Sequence, residues 1–196
     1  SYHEEINRIL GKLEEASIDA VRGRKTHGIL RIGITSTLMR RWGAEILTGF
    51  SRDHPSSWFE VHTCETSVDL SASNFDVALL RGIGNWSGVR SQLLFQENLV
   101  VVGAPDLLPA DGLVSDDSVL DYPLIQNSAR PSLWLLWLRG AGVRYRSRIH
   151  GPRLPTHDMI IECAKQGMGL AVVPEIYVRN ELATAQLKLA FPRSQL

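Results

Sequence analysis

Two continuous apolar runs, each ending in proline, constrain the fold of this chain most. The first covers residues 99–105 and the second covers Leu170–Pro174. Both runs are predicted to be strands of similar shape. Further strand and helix patterns lie between the two runs. We therefore expect the chain to leave one unit at the first run and to return to it at the second.

Strand and helix patterns alternate ahead of the first run. We predict strands at Ile29–Ile34, Trp58–Thr63 and 75–80, with helices at 38–50 and 68–72 between them. Pro55 ends the first of these helices, because the residue before a proline is pushed out of the helical region. This order predicts βαβ units and a largely parallel sheet.

The same alternation recurs between the two apolar runs. The pattern predicts strands at 123–125 and 146–149, and helices at 132–139 and 158–166. Trp134 and Trp137 are spaced for one helix face among leucines and are predicted to lie in the core. We expect two lobes, with lobe I formed by 28–103 and 173–196 and lobe II by 104–172. The chain would cross between them near 102–105 and 172–174.

The first segment, 1–27, predicts a helix followed by a linker. Its small and apolar residues have a 3-4 spacing that gives a narrow stripe, and charged residues take the other faces. The stripe favours pairing with a partner helix, and the alternative is a surface helix packed on its own domain. The stripe consists of Ile6, Ile9, Leu13, Ala16 and Ala20.

Composition limits the partners that this chain can bind directly. Lys and Arg total 21 and Asp and Glu total 21, so no net positive field holds a nucleic-acid backbone. Cys64 and Cys163 lack the dense spacing of a disulfide scaffold, which favours a reducing compartment. The sequence has no apolar stretch long enough to span a membrane. We expect a cytoplasmic protein that contacts DNA, if at all, through another domain.

Polar side chains recur where predicted strands end, and these are the candidate ligand contacts. In a two-lobed sheet protein such ends meet in a crevice, where helix N-termini present free N–H groups. N-capping alone explains the hydroxyl residues equally well. Arg81 fits a carboxylate clamp, or alternatively a loop anchor. The candidates are Thr35, Ser36, Thr37, Thr66, Ser67, Arg81, Asn127, Ser128, Thr156 and His157.

Motifs for catalysis and metal binding are not found in the sequence. His62 and Cys64 alternate onto one strand face, but no third zinc ligand follows nearby. The glycine-rich segment 82–88 departs from the dinucleotide-binding spacing and is interpreted as a turn. No nucleophile elbow, phosphate loop or pair of catalytic carboxylates is present. We expect no catalytic residue, metal or cofactor.

An ordered set of motifs resembles the effector-binding domain of LysR-type transcription regulators, in particular the branch of the glycine-cleavage and β-lactamase regulators. Each motif alone is weak, but their order and spacing match the family from about residue 30 onward. The motifs are LRIG at 30–33, F-x-x-x-H-P at 50–55, FDVALLRG at 75–82, NWSG at 85–88, LVVV at 99–102, PLI at 123–125, W-x-x-W-L at 134–138 and GMGLAVVP at 167–174.

The resemblance implies a type 2 periplasmic-binding-protein-like α/β fold, with two Rossmann-like lobes joined by two crossover strands behind a linker helix. It implies a small polar or anionic metabolite as effector and DNA binding through a winged helix-turn-helix domain elsewhere in a longer regulator. It also implies a dimer, tetrameric in the full-length protein, with residues 38–50 packed against 175–182. The alternatives are a solute-binding protein of a transport system and an enzyme on the same fold.

Overall fold

A computed structural model describes residues 29–64, 70, 73–109, 113–115, 118–143 and 148–191. The predicted linker helix and its stripe therefore lie outside the described residues. So do the helix predicted at 68–72, apart from residue 70, and half of the strand predicted at 146–149.

The first sheet has three parallel strands in the order β2-β1-β3. Strand β1 (Ile29–Ile34) pairs with β2 (Trp58–Thr63) along its whole length and with β3 (Val77–Leu79) at its end. The bounds of β1 and β2 are those predicted from the sequence. The all-parallel pairing also confirms the predicted βαβ arrangement.

One long helical segment connects β1 to β2. It begins with α1 (Ser36–Leu38), continues as a π-helical turn (Met39–Gly43) and ends as α2 (Ala44–Asp53). The N–H of Ala44 donates to the carbonyl of Met39, one residue further back than in an α-helix. Such π turns inside helices are often found at functional positions, because they change the direction of the side chains they carry.

The second sheet has five strands in the order β6-β5-β7-β4-β8. Its two long strands, β4 (Leu99–Gly103) and β7 (Leu170–Pro174), are the predicted apolar runs, and they pair antiparallel with every residue buried. Strand β5 (Leu124–Asn127) lies parallel to β7. The short strands β6 (Arg153–Leu154) and β8 (Lys188–Leu189) form the two edges.

Helices cover both faces of the second sheet, which explains why its two long strands are apolar without polar alternation. Alternate residues of β4 and β7 point to opposite faces, so Val101 and Val172 face one core and Val100 and Val173 face the other. Helix α3 (Leu133–Gly140) covers the first face. Helix α4 (His157–Lys165) covers the second.

Two elements differ from the sequence prediction. Residues 148–149, the described half of the strand predicted at 146–149, are not in a strand, and the described outer strand is β6, which Pro152 and Pro155 flank and limit to two residues. After β7 the chain forms a 3-10 turn (Glu175–Tyr177) and α5 (Arg179–Ala183), and then β8 pairs with β4. The two strands that were predicted to form the hinge, β4 and β7, pair with one another inside the second sheet. The lobe boundaries at 28–103, 104–172 and 173–196 stay a prediction.

Candidate functional site

Asn127, the last residue of β5, organises the turn that follows the strand. Its side-chain oxygen accepts hydrogen bonds from the backbone N–H groups of Ala129 at 2.9 Å and Arg130 at 3.0 Å. This places the Arg130 guanidinium against the Glu97 carboxylate in a two-pronged pair, with Nη1–Oε1 at 2.9 Å and Nη2–Oε2 at 2.6 Å. The paired geometry fixes both side chains more firmly than one contact does.

His157 is the buried centre of this region. Its Nδ1 lies 3.4 Å from the amide nitrogen of Asn127, and its ring meets Tyr177 edge to face with centroids 5.3 Å apart. Burial, and then the positive charges of Arg130 and Arg81, lowers the pKa of His157 to about 3. Burial, and then the charge of Glu97, raises the pKa of Tyr177 to about 12. Both rings are therefore neutral near pH 7.

Arg81 reaches this region from the first sheet, since it follows β3. Burial, and then repulsion from Arg130, lowers the pKa of its guanidinium. Within the part of the chain that the structure describes, no carboxylate lies at ion-pair distance from Arg81. We call the set that unites the two sheets here the junction cluster. It consists of Arg81, Glu97, Asn127, Arg130, His157 and Tyr177.

Arg41 forms a second contact between the two sheets. The guanidinium, carried by the π turn, donates from Nε to Asp158 Oδ1 at 2.8 Å and from Nη1 to Glu181 Oε1. Burial lowers the pKa of Arg41, but the two carboxylates together outweigh this and leave it above its ordinary value. We call these three residues the Arg41 triad.

A cavity of about 310 Å³ adjoins both groups. Tyr177 of the junction cluster lines it together with Arg41 and Glu181 of the triad, and Trp42 lies beside them. Aromatic, cationic and anionic side chains thus share one open space where the sheets meet, and ligand sites often lie between two such units.

The hydroxyl residues predicted after β1 have three different environments. Thr35 is the N-cap of α1 and accepts from the Leu38 N–H at 3.4 Å. Ser36 is exposed, whereas Thr37 is buried. Capping is therefore visible at Thr35, and ligand contact at all three stays a prediction.

The predicted residues of the second sheet divide in the same way. Thr156 caps α4 by accepting from the Met159 N–H at 3.3 Å, and Ser128 is exposed, with its N–H donating to the Leu154 carbonyl. Asn127 and His157 touch one another, and Arg81, whose charge acts on His157, follows a strand of the first sheet. Thr66 and Ser67 lie outside the described residues.

Sequence reasoning missed most of the charged residues at this junction. The pairs Arg41–Glu181, Arg41–Asp158 and Arg130–Glu97 join residues far apart in the chain, and a charge by itself gives no sign of its partner. A usable signal was that Arg130 follows Asn127 closely, within a turn of the kind that asparagine stabilises. Tyr177, next to the end of β7, had no comparable signal.

The other residues that the sequence singled out pack or pair within the fold. Trp134 and Trp137 are buried in the core as predicted, and the Trp134 indole N–H donates to the Ile125 carbonyl at 2.8 Å. His62 lies 3.7 Å from Glu60 and packs beside the Phe75 ring. Over the described residues, no group of three or more potential ligands is arranged to hold a metal ion.

Fold and site together define the class of protein, which is an α/β binding module whose polar and charged side chains come together from two sheets. The family model for the LysR substrate binding domain matches residues 23–196. The chain belongs to this family, the effector-binding domains of LysR-type transcription regulators. The family consists of regulators and not of enzymes.

Relatives and solved structures agree with this assignment. The chain is 25% identical over 192 residues to the glycine cleavage system transcriptional activator of Escherichia coli K12, and 28% identical over 190 residues to the transcriptional activator AmpR of Pseudomonas aeruginosa. The effector domain of Pseudomonas aeruginosa AmpR superimposes with a TM-score of 0.75 at 26% identity, covering 86% of this chain and 81% of that one. These matches favour a regulator over a transport protein.

Coverage of the relatives is partial. The alignments include 97% and 94% of this chain but 62% and 60% of the Escherichia coli and Pseudomonas aeruginosa activators.

Among the helices that the structure describes, none is long and apolar enough to cross a membrane.

Proposed function

We propose that this chain binds a small anionic metabolite at the junction cluster and that binding changes the relative position of the two sheets. The supporting observation is the charge balance of the cluster. Arg81 and Arg130 face one carboxylate, Glu97, while His157 and Tyr177 are neutral near pH 7. These six residues therefore carry one excess positive charge, while Asp158, whose charge also acts on His157 and Tyr177, is paired with Arg41.

An anion relieves two unfavourable interactions at once. It compensates the charge of Arg81, which is exposed and has no carboxylate of its own among the described residues, and it reduces the repulsion between Arg81 and Arg130. A carboxylate suits a guanidinium best, because its two oxygens match the two N–H groups. The phenol of Tyr177 and the imidazole of His157 supply neutral hydrogen-bonding groups that distinguish one carboxylate from another.

The whole protein, in this proposal, is a cytoplasmic transcription regulator. It contacts DNA through an N-terminal domain and forms a dimer of this module, tetrameric at full length. An effector shifts the equilibrium between two relative positions of the sheets only by the difference in its affinity for the two states. A ligand held between residues of both sheets has that difference, since moving the sheets apart separates its contacts.

The experiment is a calorimetric titration with mono- and dicarboxylates, with their uncharged amides as matched controls. We expect at least one carboxylate to bind and its amide to fail. Arg81→Gln should weaken binding about tenfold or more, the effect of losing a hydrogen bond between charged groups. Arg90→Gln, which removes an exposed arginine of the same loop, should leave the affinity unchanged. Equal binding of carboxylates and amides would exclude an anionic effector.

A further inference from the structure

The Arg41 triad is the best defined polar contact between the two sheets. Arg41 lies on the π turn that follows β1, whereas Asp158 begins α4 and Glu181 lies in α5, both next to the second sheet. The side chains of Arg41, Asp158 and Glu181 are 13%, 20% and 7% exposed. Charges removed from water to this extent are held in place by one another.

Glu181 depends on Arg41 more than an ordinary surface carboxylate does. Oε1 accepts from Arg41, and Oε2 is buried without a hydrogen-bond partner in the described part of the chain. Removing the guanidinium would leave a buried charge uncompensated, which costs far more free energy than an exposed pair contributes. The carboxylate would then have to reach water, and movement of the sheets gives it a route.

Packing does not replace this contact. The space beside Arg41 is the cavity of about 310 Å³, which Trp42 and Ile176 line together with charged side chains. The two sheets therefore meet here through charged groups around an open volume. A junction of this kind changes its geometry more readily than a close-packed core does.

Both anchors of Arg41 adjoin residues of the junction cluster. Asp158 directly follows His157 in the first turn of α4. Glu181 lies one helical turn beyond the 3-10 turn that ends at Tyr177. Holding Asp158 and Glu181 thus holds the two neutral rings that contact one another edge to face.

We propose that Arg41 is a positioning residue for the effector site. It fastens the first sheet to α4 and α5, and so sets His157 and Tyr177 opposite Arg81. This inference rests on the proposed function for the ligand, but its geometric part concerns the unliganded protein. In this proposal Arg41 acts on the ligand site through Asp158 and Glu181.

Calorimetry with the best-binding carboxylate tests the effect on the site. Arg41→Met keeps most of the side-chain volume and removes the charge, and we expect affinity to fall about fivefold or more, the usual scale of coupling between sites. Arg41→Lys keeps the charge and should recover much of the loss, which a purely packing role would not produce. Arg40→Met is the matched control. Arg40 also carries a positive charge near Asp158, at 3.8 Å, but its side chain is 72% exposed, so this variant should bind the carboxylate as the wild type does. Wild-type affinity in Arg41→Met, or no recovery in Arg41→Lys, would overturn the proposal.

A distance measurement without ligand tests the geometry independently. Nitroxide labels at Thr48→Cys and Arg139→Cys, in a Cys163→Ser background and diluted with unlabelled protein, report on the two sheets by pulsed electron resonance. We expect a longer or broader distance distribution in Arg41→Met and an unchanged distribution in Arg40→Met. If Arg41→Met does not fold by circular dichroism, Asp158→Asn should give a smaller change of the same kind. Unchanged distances would refute the role of Arg41, whereas a changed distance with no carboxylate binding to the wild type would refute the anionic effector alone.

Discussion

Hydroxyl groups that look alike in the sequence have different tasks at the residue scale. Thr156 caps α4, whereas exposed Ser36 stands beside the capping residue Thr35. Thr156→Ala should therefore lower the free energy of unfolding by about 1 kcal/mol. Ser36→Ala should change it by less than about 0.5 kcal/mol. Urea unfolding of both variants beside the wild type measures this, and equal losses would show that capping does not separate the two positions.

His157 gives the molecule a specific response to acid. Its pKa is about 3 in the folded chain and near 6.5 when unfolded. Between these values the unfolded state binds the proton and the folded state does not, so the free energy of unfolding falls as pH drops through that window. The contribution is at most about 1.4 kcal/mol per pH unit.

The comparison variant for this prediction is His157→Gln. Chemical unfolding at several pH values from 7 to 4 should show a shallower loss of stability in His157→Gln than in the wild type. Only the slopes are compared, so an overall difference in stability does not disturb the test. Parallel curves would mean that His157 is protonated in the folded protein as easily as in the unfolded one.

The sequence allowed prediction of those parts of the site that depend on local structure. Asn127 and Thr156 were found because turns and helix starts need such residues at fixed offsets. Arg41, Glu97 and Glu181 were not found, because each gains its role from a partner that only the tertiary structure supplies. A charged side chain in isolation is most simply interpreted as solvated.

At the scale of elements, strands with a sequence pattern of their own could be predicted, whereas strands that depend on a tertiary partner could not. Strands β1, β2 and β7 were predicted at their observed bounds, since apolar pattern and length suffice for a buried strand. Strand β6 was not predicted, because it has two residues and exists only through its pairing with β5. Edge pieces of this length carry no periodicity of their own.

Gly169 shows how closely one element must approach another. A Cβ atom there would lie 2.2 Å from the carbonyl oxygen of Pro123, at the point where β7 begins to pair with β5. Gly169→Ala should cost about 3 kcal/mol of stability through this overlap. Gly167→Ala is the control, because it has a positive φ but nothing within 4 Å, and about 1 kcal/mol is expected. Thermal or urea unfolding compares the two, and equal losses would locate the cost in the backbone conformation alone.

The whole molecule combines a close-packed second sheet with a junction of charged groups. The second sheet is covered on both faces and contains both predicted hinge strands, whereas its contact with the first sheet includes a charged triad beside a cavity. Close-packed cores move as units, so the proposed function places the action of the effector at the junction.

Association is the property of the whole molecule that the first segment predicts. The stripe that includes Ile6, Ile9 and Leu13 would face water in a monomer, so pairing of two such helices buries it. We expect the chain to sediment as a dimer or larger species, and Ile9→Glu with Leu13→Glu to weaken that association. Leu10→Glu, which lies outside the stripe, is the matched control and should associate as the wild type does. A purely monomeric wild type would contradict the prediction, and association unchanged by the paired substitutions would transfer the dimer contact from the first segment to the sensing lobes.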